Sequence, residues 1–568
     1  MIIKYHLSNL INYGCSYFKP PKTKRILASK NFEETLAYLS ENTTHPNYRD
    51  MLCYVINKEF AQSKLANQDL HFKHIQDLAS LLSESNSNDK TNHNKLSKCI
   101  LVLYKAGCIN TPATLLNNEK CNVHIKDKLG NKLNPIISDH DILNNDYHIP
   151  QRAPKKVSAD SNNILYVASS SLPHHISGYT IRTHGILTSF KDSRWNIFCA
   201  TRPGYPEDRN DFNKKLNNSF YSVDDIEYRT IASGTNFKSE SHKDQVLIQA
   251  NYIENIASEK NVCLIHAASN YENALPSLIA ARNLGLPFVY EVRGLWEYSK
   301  AARFPLSWES SDRFLLYKKL ESLVAANADH VFTLTKALKA TLIERGVQKD
   351  KISITPNGVD LSQYTPLDKS TKLCQSLEID KDDFIIGYIG SLVEYEGVDT
   401  LIKSYSSLRK KYPRSKLIIV GDGYKKDALM KLSSSLNLEQ HIIFTGKIPP
   451  NDVGEYYSIL DVAVLARKPY KVCQLVSPLK PFEVMAMGVP IIVSDVNALK
   501  EMATHMETAI IHNADNVESL TEALTLIASN AKLRTKLAEN ARHMVENHHT
   551  WSKITNHMGE VYQNLINA

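Results

Sequence analysis

Arg467-Lys-Pro-Tyr-Lys-Val-Cys-Gln-Leu-Val-Ser-Pro-Leu-Lys-Pro-Phe-Glu-Val-Met-Ala-Met-Gly-Val-Pro-Ile-Ile-Val-Ser494 is the stretch whose reading decides the fold. It follows a short apolar run, Val462 to Leu465, and it ends in another, Val489 to Ser494. Between them, Pro478 and Pro481 predict an extended chain up to a helix-like run, Phe482 to Met487, which Gly488 stops. Strand, basic loop, short helix and strand make one βαβ unit. Its loop then lies at the carboxyl end of the first strand, where open α/β sheets bind ligands. The loop carries Arg467, Lys468, Lys471 and Lys480 around one acid, Glu483. A helix amino end flanked by cations suits an anion, and a carboxylate among them suits hydroxyl groups.

Working outward, further buried-looking strands alternate with helices: Phe384-Ile-Ile-Gly-Tyr-Ile-Gly, Lys416-Leu-Ile-Ile-Val and Ile442-Ile-Phe-Thr-Gly. With Val462–Leu465 and Pro490–Ser494 they predict a five-stranded parallel sheet. An earlier series, Asn163-Ile-Leu-Tyr-Val-Ala-Ser, Trp195-Asn-Ile-Phe-Cys-Ala, Val262-Cys-Leu-Ile-His-Ala, Phe288-Val-Tyr-Glu-Val and His330-Val-Phe-Thr-Leu, predicts another. The turn-rich run Ile354 to Pro366 separates the two. The expected organisation is an α/β protein with Rossmann-like, doubly wound domains at 158–360 and 370–545, facing a cleft. A last helix in 546–568 is expected to pack back on the first of them. Residues 1–150 read as an all-α region, with helical spacing at Phe32–Leu39, Met51–Ile56 and Ile75–Leu82 and a helical hairpin over Leu96–Leu116 turned at Gly107. A helical cap and a docking surface for a protein partner are both open for that region.

A chain of 568 residues is too long for one core. Its hydrophobic share of 43% and charged share of 22% are those of an ordinary globular protein. A net charge of +7 permits anionic ligands or peripheral membrane contact, but it is not the footprint of a nucleic-acid binder. The nine cysteines are odd in number and scattered, which argues for a reducing compartment and against a zinc site. The start lacks the pattern of a signal peptide, and no run approaches the roughly 18 apolar residues of a membrane span. The expectation is therefore a cytoplasmic protein, peripheral at most at the inner face of the membrane. Asp208 and Asp211 are two residues apart and do not form an Asp-x-Asp metal pair. Gly421-Asp-Gly423 lacks the third glycine of a phosphate loop and reads as a strand closure.

From about residue 160 onward the sequence resembles the family-4 retaining glycosyltransferases of the GT-B fold. The resemblance rests on segments spread along the chain: Ser177-Gly-Tyr-Thr-Ile-Arg-Thr, His266-Ala-Ala-Ser-Asn-Tyr-Glu-Asn-Ala-Leu, Tyr290-Glu-Val-Arg-Gly-Leu-Trp-Glu, Pro356-Asn-Gly-Val-Asp, Gly387-Tyr-Ile-Gly-Ser, Val420-Gly-Asp-Gly, Phe444-Thr-Gly-Lys-Ile and the opening stretch, with its Pro-Leu-Lys-Pro-Phe-Glu. It implies transfer of a sugar from a nucleotide-sugar donor to a saccharide or lipid-linked acceptor, with no metal ion and no cofactor. Assembly of a bacterial surface polysaccharide is the setting it suggests.

Residue by residue, the resemblance puts Glu483 on the donor's ribose and Lys480 and Arg467 on its diphosphate. Lys447 and Ile448 border the nucleobase. Departures from the family pattern bring in other candidates. The position eight before Glu483, commonly a glutamate, is Leu475, so its role on the sugar is vacant or passes to a neighbour such as Gln474, with sugar specificity expected around Leu475 and Asn497. The Arg and Lys that commonly follow the first strand of the second domain are replaced, and the sequence offers Ser391 and Glu396 there. On the acceptor side, Arg293 stands where many relatives carry a histidine near the reacting centre. Gly178, Tyr179 and His266 complete that side, with a satisfied core histidine as the competing reading of His266. Arg293, Lys480 and Glu483 form the expected catalytic set. The competing class is a non-catalytic nucleotide- or sugar-binding subunit that docks through residues 1–150.

Overall fold

A computed structural model describes residues 93–117, 122–154, 161–209, 211–212, 219–231, 237, 240–303 and 306–568, with Leu39, Leu52, Val55 and Ile56. The chain divides into two compact units. One gathers Met1–Ile149, Gly234–Ile248 and Trp296–Glu321, and the other Pro150–Ser233, Gln249–Leu295 and Ser322–Ala568. The helical part is thus built from more than the first 150 residues, because two later segments fold with it.

In the first unit, helices α1 (His93–Lys105), α2 (Asn110–Asn117), α3 (Asn122–Leu129) and α4 (Leu133–Asn144) follow one another. The hairpin between α1 and α2 turns at Gly107, whose φ of 102° favours glycine. The later segments are tied in by charge. The Asp312 carboxylate accepts the backbone N–H of Ile109 at 2.7 Å and of Asn110 at 2.8 Å, capping the start of α2. Buried Asp139 on α4 pairs with Arg313 and accepts from the Tyr104 hydroxyl at 2.6 Å, with His242 at 3.0 Å. Leu39, Leu52, Val55 and Ile56 are buried in the same core as Leu96, Ile100 and Leu103. The remainder of the helices expected at Phe32–Leu39 and Met51–Ile56, and all of that at Ile75–Leu82, lie outside the described residues.

The second unit holds two sheets. The first runs β1 (Asn163–Ala168), β2 (Asn196–Pro203), β3 (Phe220–Val223), β4 (Ile226–Ile231), β5 (Leu264–Ala268), β6 (Phe288–Val292), β7 (His330–Thr333) and β8 (Ile352–Ile354). Their order in space is β3-β4-β2-β1-β5-β6-β7-β8. Pairing is parallel except in the β3–β4 hairpin. The second sheet contains β9 (Phe384–Ile389), β10 (Ser415–Val420), β11 (Ile442–Gly446), β12 (Val462–Leu465), β13 (Ile491–Ser494) and β14 (Ile510–His512), ordered β11-β10-β9-β12-β13-β14 and parallel throughout. The ten expected strands are present. The strands missed are the exposed edge hairpin β3–β4 and the three-residue strands β8 and β14, all too short or too polar to write an apolar run. Strand order reverses between β1 and β5 and again between β9 and β12, which opens a crevice in each sheet.

Helices that position the site are α5 (Gly178–Phe190), α6 (Lys336–Glu344), α7 (Val398–Arg409), α8 (Lys471–Leu475), α9 (Lys480–Ala486), α10 (Asn497–Lys500) and α11 (Trp551–Asn567). Two of them correct the reading of the opening stretch. A short helix, α8, interrupts the basic loop, and α9 begins at Lys480 rather than Phe482. Pro481 therefore lies in the first turn of α9, where its missing N–H costs nothing. At the chain's end, α11 lies along α5, and Tyr562 is buried with Tyr166 and Phe190 beside the first sheet. Among the described residues, no helix is long and apolar enough to cross a membrane.

Candidate functional site

The chain leaves β12 at Ala466, and Arg467 turns into the crevice beside β9. Its Nη2 donates to Glu396 Oε1 at 2.7 Å, its Nε to Glu396 Oε2 at 3.2 Å, and its Nη1 to the Val476 carbonyl at 3.0 Å. The two loops are pressed together, since a Cβ on Gly397 would lie 1.9 Å from the Ala466 carbonyl oxygen. Burial works against the charge on Arg467, but the carboxylate beside it wins and holds its pKa above the usual value. Lys468 is taken up in the same way, at 2.8 Å from Asp399, with Asp515 and Glu394 further out. The expectation of Arg467 as a cation left to face a diphosphate is corrected on this point. An acid at position 396, where the family pattern has a base, claims it.

Glu483 is 3% exposed on α9. Its Oε2 accepts from the Tyr457 hydroxyl at 2.9 Å and from Lys480 Nζ at 3.0 Å. Both bonds fall on one oxygen, so Oε1 keeps its lone pairs for a ligand hydroxyl. Burial, then the charge of Glu483, pushes the Tyr457 phenol upward, so it stays protonated and donates. Tyr457 was missed in the sequence because it lies 26 positions away on another helix. Lys480, its side chain 31% exposed, is the member of this group that reaches solvent.

The remaining donor-side candidates sit at the carboxyl ends of the strands. Gln474 and Asn497 are brought together: Gln474 Oε1 accepts the Asn497 N–H at 2.8 Å and caps α10. Ser391 is exposed just past β9, and its carbonyl accepts from the Tyr388 hydroxyl at 2.8 Å. Lys447 is exposed and Ile448 half-buried just past β11.

On the first sheet, Arg293 follows β6 and is 3% exposed. Its Nη1 donates to the Tyr179 carbonyl at 2.7 Å and Thr183 Oγ1 at 2.8 Å, and its Nη2 to Glu291 Oε2 at 2.8 Å and to the Tyr166 hydroxyl. Arg182 Nε completes the cluster, at 2.7 Å from Glu291 Oε1. Two guanidinium groups hold the Glu291 carboxyl far below its usual range against the cost of burial. Arg293 is therefore a buried network residue. Its neighbour Gly294 does the facing, since a Cβ there would lie 3.1 Å from Val476 and 3.3 Å from the Tyr179 hydroxyl. Gly178 likewise stands 3.5 Å from Leu479 by the same measure. Gly178 and Gly294 thus meet the segment 476–479 of the second sheet's half, with the Tyr179 hydroxyl beside Gly294. His266 does not join them. It is fully buried, its Nδ1 lies 2.6 Å from the Tyr562 hydroxyl, and burial pushes its pKa down to about 3. The acceptor-side assignment of His266 is corrected to a neutral core histidine.

Two doubly wound domains that bring the carboxyl ends of their sheets to one seam define the GT-B class. Residues 369–544 match the family model described as Glycosyl transferases group 1, and residues 197–363 the one described as Glycosyltransferase Family 4. The chain is a GT-B protein similar to glycosyltransferase family 4. An uncharacterized glycosyltransferase of Methanocaldococcus jannaschii is 22% identical over 416 residues, 73% of this chain and 93% of that one. One of Haemophilus influenzae is 29% identical over 228 residues, 40% of this chain, and the match spans 59% of that relative's length. Among solved structures, the HepE protein of Anabaena in complex with UDP superposes with a TM-score of 0.56 at 16% identity, covering 71% of this chain and all of that one (100%). That likeness speaks for the fold alone.

Proposed function

We propose that this chain is a retaining glycosyltransferase that moves a sugar from a nucleotide-sugar donor to a saccharide or lipid-linked acceptor. The observation that carries the reading is Glu483, fixed through Oε2 by Tyr457 and Lys480 at the start of α9 with Oε1 left over. A carboxylate held so can accept from ribose hydroxyls, while Lys480 steadies the charge that builds on the departing diphosphate. That a protein of the same fold was solved with UDP is in keeping with a nucleotide-sugar donor. Glu291 is locked between two arginines and cannot serve as a nucleophile. Retention in this reading comes from attack by the acceptor hydroxyl on the face from which the diphosphate leaves, with the diphosphate taking its proton. In this reading no metal ion and no cofactor takes part, and Lys447 and Ile448 border the base. The acceptor lies on the side of Gly178 and Tyr179, at the inner face of a bacterial membrane where surface polysaccharide is assembled.

A thermal-shift screen of UDP-, GDP- and ADP-sugars followed by a transfer assay, with and without a chelator, tests this. A preferred donor should raise Tm and be consumed, and Glu483→Ala should lose both effects. The second reading, a non-catalytic nucleotide-binding subunit, draws on Leu475 in place of an acid and on the internal pairing of Arg467. Tight nucleotide binding with no turnover across all donors would favour it.

A further inference from the structure

Three successive carbonyls of the segment between α8 and α9 are held from three different places. Thr335 Oγ1 donates to the Leu475 carbonyl at 2.7 Å, Arg467 Nη1 to that of Val476 at 3.0 Å, and Asn357 Nδ2 to that of Ser477 at 2.8 Å. Arg467 belongs to the same sheet as the segment. Thr335 and Asn357 do not, for they follow β7 and β8 of the first sheet.

Thr335 is also the cap of α6, its hydroxyl accepting the Leu338 N–H at 3.0 Å. The same helix end makes a second link. Glu501, just past α10, accepts the N–H groups of Lys336 at 2.6 Å and Ala337 at 2.9 Å, where a carboxylate is favoured by unpaired donors and the helix field. The start of α10 is itself bound to Gln474, the residue before Leu475. Thus the amino end of α6 grips α8 at Leu475 and α10 at Glu501, and Gln474 closes the loop between them. Thr335 is 2% exposed, whereas Glu501 faces solvent, so the Thr335 bond is the better shielded.

We infer that Thr335 is a positioning residue for sugar transfer, holding the Gln474–Leu475 end of the donor segment from the opposite half of the molecule. The inference rests on the transferase reading above. The nucleotide end needs no such help, because Tyr457, Lys480 and Glu483 all come from the second sheet's half. Loss of Thr335 should therefore separate transfer from nucleotide binding.

Thr335→Val removes the hydroxyl at nearly constant shape, and Thr335→Ser restores it. The valine variant is expected to lose roughly tenfold in kcat, as for a buried carbonyl left without its donor, with KM for the donor and the Kd of UDP within about twofold of wild type. The serine variant should recover the rate. An unchanged kcat in folded Thr335→Val, or no recovery with serine, overturns the inference. So does a joint loss of kcat and UDP affinity in step with Tm, the signature of a merely structural role. Should Thr335→Val not fold, Glu501→Gln takes its place, with a smaller kcat loss expected and an unchanged kcat overturning. If the wild type transfers no sugar, the transferase reading fails first. The inference is then judged by hydrogen exchange, where Thr335→Val should lose amide protection over residues 471–476 while α9 keeps its own. Unchanged protection over residues 471–476 overturns it.

Discussion

Arg467 and Glu396 meet edge to edge, with Nη2 2.7 Å from Oε1 and Nε 3.2 Å from Oε2, in the crevice between β9 and β12 where the strand order reverses. Open sheets bind ligands at such a point, and here the protein supplies both charges itself. Their side chains are only 10% and 11% exposed, so removing one partner strands the other in a poor solvent. Glu396→Gln and Arg467→Met should each cost about 3–5 kcal/mol, whereas the apolar pair Glu396→Leu with Arg467→Met should cost less than either. Denaturant midpoints measure this, and a single variant as stable as wild type would refute the account.

At the proposed ribose site, Glu483→Ala and Lys480→Ala should abolish transfer without unfolding the chain. Tyr457→Phe removes only one of the two bonds that fix Oε2, so the expected loss is about tenfold and falls mainly on the donor KM. Steady-state kinetics with circular dichroism as the folding control decides it. Full activity in either Glu483→Ala or Lys480→Ala would remove the site assignment.

Acid should destabilise the first sheet's half through His266. Its folded pKa is held at about 3, below the ordinary 6.5, chiefly by burial. The stability tied to this group is complete above pH 6.5 and is lost as the pH falls towards 3, at about 1.4 kcal/mol per pH unit once the unfolded chain is protonated. Half-buried His330 and His549, both near 4, act in the same direction. Urea unfolding between pH 7 and 4 should show His266→Gln with a shallower slope than wild type. An identical slope would remove His266 from the account.

Gly185 on α5 is a helix-interior glycine, so alanine there would ordinarily add about 1 kcal/mol. A Cβ at this position would instead lie 2.4 Å from the Trp551 ring of α11. Overpacking of this kind costs about 1–3 kcal/mol, so the clash wins and Gly185→Ala should lower Tm. Hydrogen exchange should show α11 losing protection before the second sheet does. Uniform or unchanged protection would argue against this packing role.

The sheets were legible because parallel strands covered on both faces write nearly unbroken apolar runs, as Ile164–Ala168 and Ile491–Val493 do. The edge hairpin Phe220–Ile231 was not, since one of its faces meets solvent and its alternation is weak. Within the opening stretch, Glu483 was singled out by being the one acid among bases. The start of α9 was misplaced by two residues because Pro481 signals either an extended chain or a first helical turn, and local sequence does not choose between them.

By itself, then, the sequence determined two doubly wound domains, the βαβ unit that ends in Ser494, and Glu483 as its acid. Each of these is written in spacing along the chain. What only the tertiary structure decided is the state of the charges and polar groups. Arg467 is bound to a carboxylate 71 positions away, His266 to a phenol 296 positions away, and Leu475 to a hydroxyl 140 positions away. Hydrogen bonds and ion pairs act over a few ångströms of space and depend on burial, and neither quantity is carried by the order of residues.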